Sequence, residues 1–283
     1  MQATSLSVNI PGPCNASCPF CISKLTGKYG QKFDLDALES KAFRYASCHG
    51  VDTVLITGKG EPTLRNDLVI LVIHRAYQDG FPIIELQTNG YKLWQDLTML
   101  ETYKAHHLTT LSISIADFSP IINNEIIHLP SHYNYLEVIQ KANELGFLCR
   151  VSLNMTNSLT VDKIKDGAQQ LKAIGVHQLT LRELGIPNHY DKNDIKQVEV
   201  VNWIQKNSIN DQELQKIIQE VENDDKILRT ISYGPSVYDY QGLSAVVASC
   251  MTDNKNPEEI RSLIFQPNGH LYHSWNFEGS IIL

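Results

Sequence analysis

Nowhere in its 283 residues does this chain carry an apolar run approaching the roughly 18 residues that a membrane-spanning helix needs, so no membrane contact is expected. The segment from Met1 to Ile10 has neither a basic start nor an apolar stretch, which excludes a secretory signal there. Basic blocks are missing too. Lys and Arg number 24 against 31 Asp and Glu, a net charge of −7, which argues against a surface built for a phosphate backbone and so against a nucleic-acid partner. A total of this kind does not exclude a local basic pocket. Internal repeats and low-complexity tracts are absent, and 42% hydrophobic with 19% charged residues excludes global disorder. The length suits one large domain, or one of ordinary size with a smaller appendage. The six cysteines are too unevenly placed for a disulfide framework: Cys14, Cys18 and Cys21 fall within eight residues, whereas Cys48, Cys149 and Cys250 lie about a hundred residues apart. That distribution points to a metal site, and free thiols without a signal peptide suggest a reducing cytoplasm.

Short apolar runs alternate with longer helical segments. Strands are expected at 6–10, 53–57, 83–87, 111–116, 149–155 and 178–184, and helices at about 34–49, 66–79, 93–105, 132–145 and 160–174. Asp34 and Ser131 suit N-cap positions, while Gly50, Gly80, Gly146 and Gly175 stand where helices end. Strand and helix repeated in this way predict parallel βα units. The strands also alternate in polarity. Ser112 and Ser114 share one face, as do Ser152 and Asn154, Thr180 and Arg182, and Glu85 and Gln87. A strand covered by helices on both sides would be apolar on both faces. One polar face therefore predicts a partial (β/α)6 barrel, over residues 1–187, with a polar lumen. Beyond Pro187 the chain becomes polar, with a helix expected near 211–222 and strands near 228–233, 243–249 and 262–266. Pro267-Asn268-Gly269 predicts a hairpin turn before a return strand at 271–275. This tail, 188–283, reads as a small α+β appendage.

The three clustered cysteines sit in Pro11-Gly12-Pro13-Cys14-Asn15-Ala16-Ser17-Cys18-Pro19-Phe20-Cys21, directly after the first strand. Proline and glycine place them on a loop at the strand's C-terminal end, the face that carries chemistry in β/α barrels. Thiolates this close can hold zinc or an iron–sulfur cluster. Cys14-x3-Cys18-x2-Cys21, with Phe20 before the last cysteine, resembles the cluster loop of the radical S-adenosylmethionine (SAM) superfamily. Gly58-Lys59-Gly60-Glu61-Pro62 resembles that family's Gly-Gly-Glu-Pro motif, departing from it at Lys59, and Thr88-Asn89-Gly90 resembles the Thr-Asn-Gly turn of molybdenum-cofactor-type members. The resemblance covers about residues 5–186. It implies one [4Fe–4S] cluster held by Cys14, Cys18 and Cys21. It also implies SAM contacts at Phe20, Gly58, Gly60, Glu61, Pro62, Thr88, Asn89, Ser114, Ser152, Asn154 and Arg182. The implied activity is reductive cleavage of SAM to a 5′-deoxyadenosyl radical, which abstracts hydrogen from a peptide or protein side chain or a small metabolite. A one-electron donor such as flavodoxin or ferredoxin is the implied partner.

The tail resembles a twitch hairpin that lacks its auxiliary-cluster cysteines. Cys250 could be the first such ligand, but Ser274 stands where the second would be. With the second cysteine triad and a terminal Gly-Gly both missing, a molybdenum-cofactor cyclase is disfavoured, and with no leader-binding segment ahead of the first strand, so to a lesser degree is a peptide substrate. Cys48 and Cys149 are expected to be buried structural thiols, and the aromatic residues of the tail (Tyr233, Tyr238, Tyr240, Tyr272 and Trp275) to form a small core under the hairpin. A zinc- or cluster-stabilised binding module without turnover is the alternative.

Overall fold

The computed structural model describes residues 3–26, 30, 32–231, 234–249, 260–275 and 277–283. Six parallel strands follow one another across its sheet: β1 (Ser5–Ile10), β2 (Thr53–Gly58), β3 (Ile83–Thr88), β4 (Thr110–Ile115), β5 (Leu148–Met155) and β6 (Gln178–Glu183). Each pairs in register with the next. Their apolar residues, such as Ile56, Leu86, Ile113, Leu153 and Leu181, are fully or almost fully buried. Helices cover that face. The helix Asn66–Gln78 buries Val69, Val72, Ile73 and Ala76, the spacing of one helical stripe. In Val161–Ala173 the stripe includes Gly167, where a Cβ would lie 2.3 Å from the Phe118 ring, so only glycine admits that packing.

Local signals in the sequence set most boundaries. Asp34 accepts from the Ala37 amide at 2.9 Å and opens the first helical segment, 35–48. The helix expected from 132 starts later, at Tyr135, because Asn134 rather than Ser131 caps it. The helix expected over 93–105 is two helices, Tyr91–Gln95 and Thr98–Ala105. Asp96 breaks the run by accepting from the Thr98 amide and hydroxyl. Two further helices, Pro120–Ile127 and Ile195–Asn207, escaped the sequence reading. The second buries only Val200, Val201 and Ile204 along a largely polar run, so its apolar signal is weak.

The tail completes the sheet. Strand β9 (Leu243–Ser249) runs parallel to β6, and β8 (Ser236–Tyr240) and β7 (Ile227–Thr230) follow it antiparallel. Strand β10 (Ser262–Phe265) runs parallel to β1 on the opposite edge, and β11 (Leu271–Tyr272) returns through the expected Pro267-Asn268-Gly269 turn. The resulting order is β11-β10-β1-β2-β3-β4-β5-β6-β9-β8-β7. The physical reason lies in the barrel being partial: β1 and β6 would otherwise present unpaired backbone groups. Under the hairpin Tyr272 clusters with Ile264 and Trp275, but Tyr240 packs into the main core and Tyr238 stands with it on β8, far along the sheet order, which corrects the expectation of one small aromatic core; Tyr233 and Cys250 lie outside the described residues. The sheet is curled enough for β1 to β10 to line one cavity of about 750 Å³.

Candidate active site

Three loops leave the C-terminal ends of β1, β2 and β3, and backbone and buried polar groups join them. The Glu61 amide donates to the Pro13 carbonyl at 2.9 Å, tying the second loop to the cysteine loop. Gly60 makes that approach possible, since a Cβ there would stand 2.3 Å from the carbonyl oxygens of both Gly12 and Pro13. Asn89 donates its side-chain amide to Asn15 Oδ1 at 2.8 Å, tying the third loop to the first. Asn9, 1% exposed at the end of β1, accepts from the Lys59 amide at 3.0 Å and donates to Gln266 beyond β10. Nothing in the sequence around Asn9 singles it out.

Glu61 is the centre of this arrangement. One carboxylate oxygen accepts from the Thr63 amide at 3.1 Å, the Thr63 hydroxyl at 2.7 Å and the Thr88 hydroxyl at 2.5 Å. The other accepts from the Asn89 amide at 2.9 Å. Its donors thus come from Thr63, Thr88 and Asn89, on the β2 and β3 ends of the sheet. Burial raises the acid's pKa, while the four donors oppose that by favouring the charged form. Tyr133 closes the shell by donating to the Asn89 carbonyl at 2.6 Å, its hydroxyl held well above its ordinary pKa by burial and by the Glu61 charge. Lys59, the departure in the motif, leads away to Thr26, whose hydroxyl accepts its ammonium at 2.8 Å. Burial pulls that ammonium down to about 8.

Around this geometry the relationship to known proteins becomes decisive. Residues 8–166 match the profile of the radical SAM superfamily. The chain belongs to the radical SAM superfamily. It is 28% identical over 201 residues to a GTP 3′,8-cyclase of Aquifex aeolicus (strain VF5), covering 66% of this chain and 59% of that protein. A probable GTP 3′,8-cyclase of Thermoplasma volcanium is 31% identical over 164 residues, covering 57% and 48%. The match thus spans about half to three-fifths of those relatives' own lengths. Among solved structures, Streptococcus suis SuiB bound to its precursor peptide SuiA superposes with a TM-score of 0.60 at 15% identity, over 96% of this chain and 59% of that one. Escherichia coli coproporphyrinogen III oxidase (HemN), a radical SAM enzyme, gives 0.53 at 19% identity, over 77% and 51%. At such identities the likeness is one of fold, and it agrees with the partial barrel.

Within this radical SAM protein the three cysteines are free thiols on one loop, Cys14 exposed and Cys18 and Cys21 half-buried. Desolvation raises the Cys14 pKa and pushes Cys18 up to about 12, with the charges of its two neighbours adding to the rise. They are thus close enough to feel one another. Yet no three His, Cys, Asp or Glu side chains among the described residues gather tightly enough to hold a single ion. Tetrahedral zinc requires such convergence, whereas a [4Fe–4S] cluster spreads its thiolates over separate irons. The donor set fits the cluster better than the ion.

The other expected SAM-site residues divide into two groups. Gly58, Gly60, Glu61, Pro62, Thr88 and Asn89 come together around the cysteine loop. Ser114, Ser152, Asn154 and Arg182 stand on the lumen face of the next strands, with Ser114 beside Ser152 and Asn154 beside Arg182 in register. Of these four, Arg182 lines the main cavity and the others do not. Phe20 is buried and packs against Trp203 at 5.5 Å between ring centroids, so the helix Ile195–Asn207 braces the cysteine loop. Cys149 is buried as expected, but Cys48 is exposed at the end of its helix, which corrects its reading as a buried structural thiol. His270 and His273 are both exposed. No helix among the described residues is long and apolar enough to cross a membrane.

Proposed function

We propose that the chain is a radical SAM enzyme in which Cys14, Cys18 and Cys21 hold one [4Fe–4S] cluster and the loops after β2 and β3 hold SAM. When bound, this pair supplies reductive cleavage of SAM to a 5′-deoxyadenosyl radical, which takes hydrogen from the substrate. The protein's own residues position and shield. Glu61, held by four donors that favour its charged form, stands beside the cysteine loop, where a cationic ammonium group is to be received. Gly58 and Gly60 expose backbone, and Ser114, Ser152, Asn154 and Arg182 offer hydrogen bonds from the lumen wall. Residues 1–187 act as the radical-generating unit and 188–283 as its twitch-like cover, without an auxiliary cluster.

The carrying observation is the direct tie between the cysteine loop and the other two loops, through Glu61 to Pro13 and Asn89 to Asn15. The substrate is a peptide or protein side chain, as the complex of SuiB with its precursor peptide illustrates for that protein, or a small metabolite. A flavodoxin or ferredoxin in the cytoplasm supplies the electron. Anaerobic reconstitution tests this reading. Roughly four irons per chain, a visible absorption that bleaches with dithionite, and release of 5′-deoxyadenosine from SAM are expected. Stoichiometric zinc with no SAM cleavage would overturn the reading in favour of a metal-stabilised binding module.

A further inference from the structure

The charge of the lumen is opposite to that of the chain. Acidic residues outnumber basic ones overall, 31 to 24, yet among the described residues the cavity wall carries Lys59, Arg150, Arg182, Arg229 and Arg261 against a single carboxylate, Glu85. Glu85 is already engaged. Its side chain is 1% exposed, takes an ion pair from Arg150 at 2.8 Å and accepts from Gln87 at 3.0 Å, while Arg150 also donates to Gln178 at 2.7 Å. Its charge is thus already offset by Arg150.

Two of those cations gather at the floor, the N-terminal end of the strands. Arg261 directly precedes β10, whose first residue, Ser262, lies beside Ser5 at the start of β1. Arg229 reaches the same cavity from β7. Neither guanidinium has an ion pair or hydrogen bond with any described residue. Arg261 is half-buried, and desolvation lowers its pKa. A cation kept from water without a counter-charge costs free energy that a bound anion offsets. The Ser5 and Ser262 hydroxyls, 3.3 Å apart on the same wall, add donors suited to an oxyanion. The cavity, about 750 Å³, suits a small molecule rather than a protein segment. At about 3.3 Å per residue the length of β1 separates this floor from the cysteine loop by roughly 16–20 Å, so a ligand anchored below extends towards the cluster end.

We propose that Arg261 and Arg229, with the Ser5 and Ser262 hydroxyls, form an anion site that holds the phosphate group of a small phosphorylated substrate. Phosphate is favoured over carboxylate because a dianion matches two guanidinium groups that pair with no acid among the described residues, and its tetrahedral oxygens can accept from both guanidiniums and hydroxyls together. The role of that ligand as substrate rests on the radical SAM reading; the anion site itself does not.

Calorimetric titration of the reconstituted full chain with inorganic phosphate, and separately with succinate, tests the site. Phosphate is expected to bind at least about tenfold more tightly than succinate, and R261Q to weaken phosphate by about tenfold or more. R229Q should weaken it less, its residue being more exposed, and the conservative R261K should keep part of the affinity while remaining folded. Unchanged phosphate affinity in both R261Q and R261K overturns the site, and equal affinity for succinate overturns the assignment to phosphate. Release of 5′-deoxyadenosine by the unsubstituted protein is measured in parallel. Phosphate binding without that release overturns the radical SAM reading alone, and release without phosphate binding overturns the floor site alone.

Discussion

Replacing Gly60 by alanine should separate the two loops that the proposed SAM site requires to touch. The added Cβ would sit 2.3 Å from two backbone carbonyl oxygens, Gly12 and Pro13, and 2.7 Å from the Pro13 carbonyl carbon. These are main-chain atoms of a proline-rich loop, so no side chain can swing aside. The loops must part by about an ångström, the scale on which overpacking costs about 1–3 kcal/mol. That movement also breaks the bond from the Glu61 amide to Pro13, worth about 1 kcal/mol. The total of about 2–4 kcal/mol corresponds to a fall in Tm of roughly 3–7 °C for a chain of this size. Gly12→Ala is the control, because its Cβ would meet only the flexible Arg65 side chain, at 3.2 Å. Anaerobic thermal unfolding followed by circular dichroism, with SAM affinity by equilibrium dialysis, reads both effects. A G60A protein that melts with the wild type and binds SAM as tightly would refute the close-approach argument.

Other perturbations reach different parts of the site. Glu61→Gln replaces an acceptor oxygen by an amide facing fixed donors. It should cost roughly 2–4 kcal/mol and weaken SAM binding while iron content is retained; unchanged SAM affinity would remove Glu61 from the binding surface. Arg150→Met leaves the buried Glu85 without its cation and should destabilise by about 3–5 kcal/mol in urea unfolding, whereas Arg150→Met combined with Glu85→Leu should recover most of that loss. Trp203→Ala should loosen Phe20 and lower the iron retained after desalting, an effect absent if the helix Ile195–Asn207 merely covers the surface. Burial pushes the Cys149 thiol from 9.0 up to about 12, so native protein at pH 8 should be alkylated at Cys48 and not at Cys149. The folded chain keeps the Cys149 proton where the unfolded chain loses it, so this thiol's contribution to stability should fall as pH rises from 9.0 towards about 12, and Cys149→Ala should remove that slope.

Much of the fold was legible because it rests on local patterns. Alternation along β3, β5 and β6 placed Glu85, Asn154 and Arg182 on the lumen face, since a period of two is imposed by the strand itself. Asp34 announced a helix start by its own side-chain chemistry, and the glycines ending helices did so through positive φ, as at Gly50 (72°) and Gly175 (91°). Ser131 misled because several residues of that loop can cap a helix, and only the packing of Tyr135 and Val138 decides that Asn134 does. The cysteine, Glu61 and Thr88 motifs were legible because each lies on one short stretch of chain.

By itself the sequence determined the parallel βα order, the polar side of each strand and the three thiols on one loop, all consequences of neighbours a few residues apart. Tertiary structure alone decided what those groups meet. Glu61 finds its donors in Thr63, Thr88 and Asn89, and Phe20 finds Trp203 from 183 positions away. The tail joins both edges of the sheet because a partial barrel leaves two edges to cover. Arg229 and Arg261 converge on one floor because β7 and β10 were carried to those opposite edges, and no composition or spacing encodes a meeting made through the closing of a sheet.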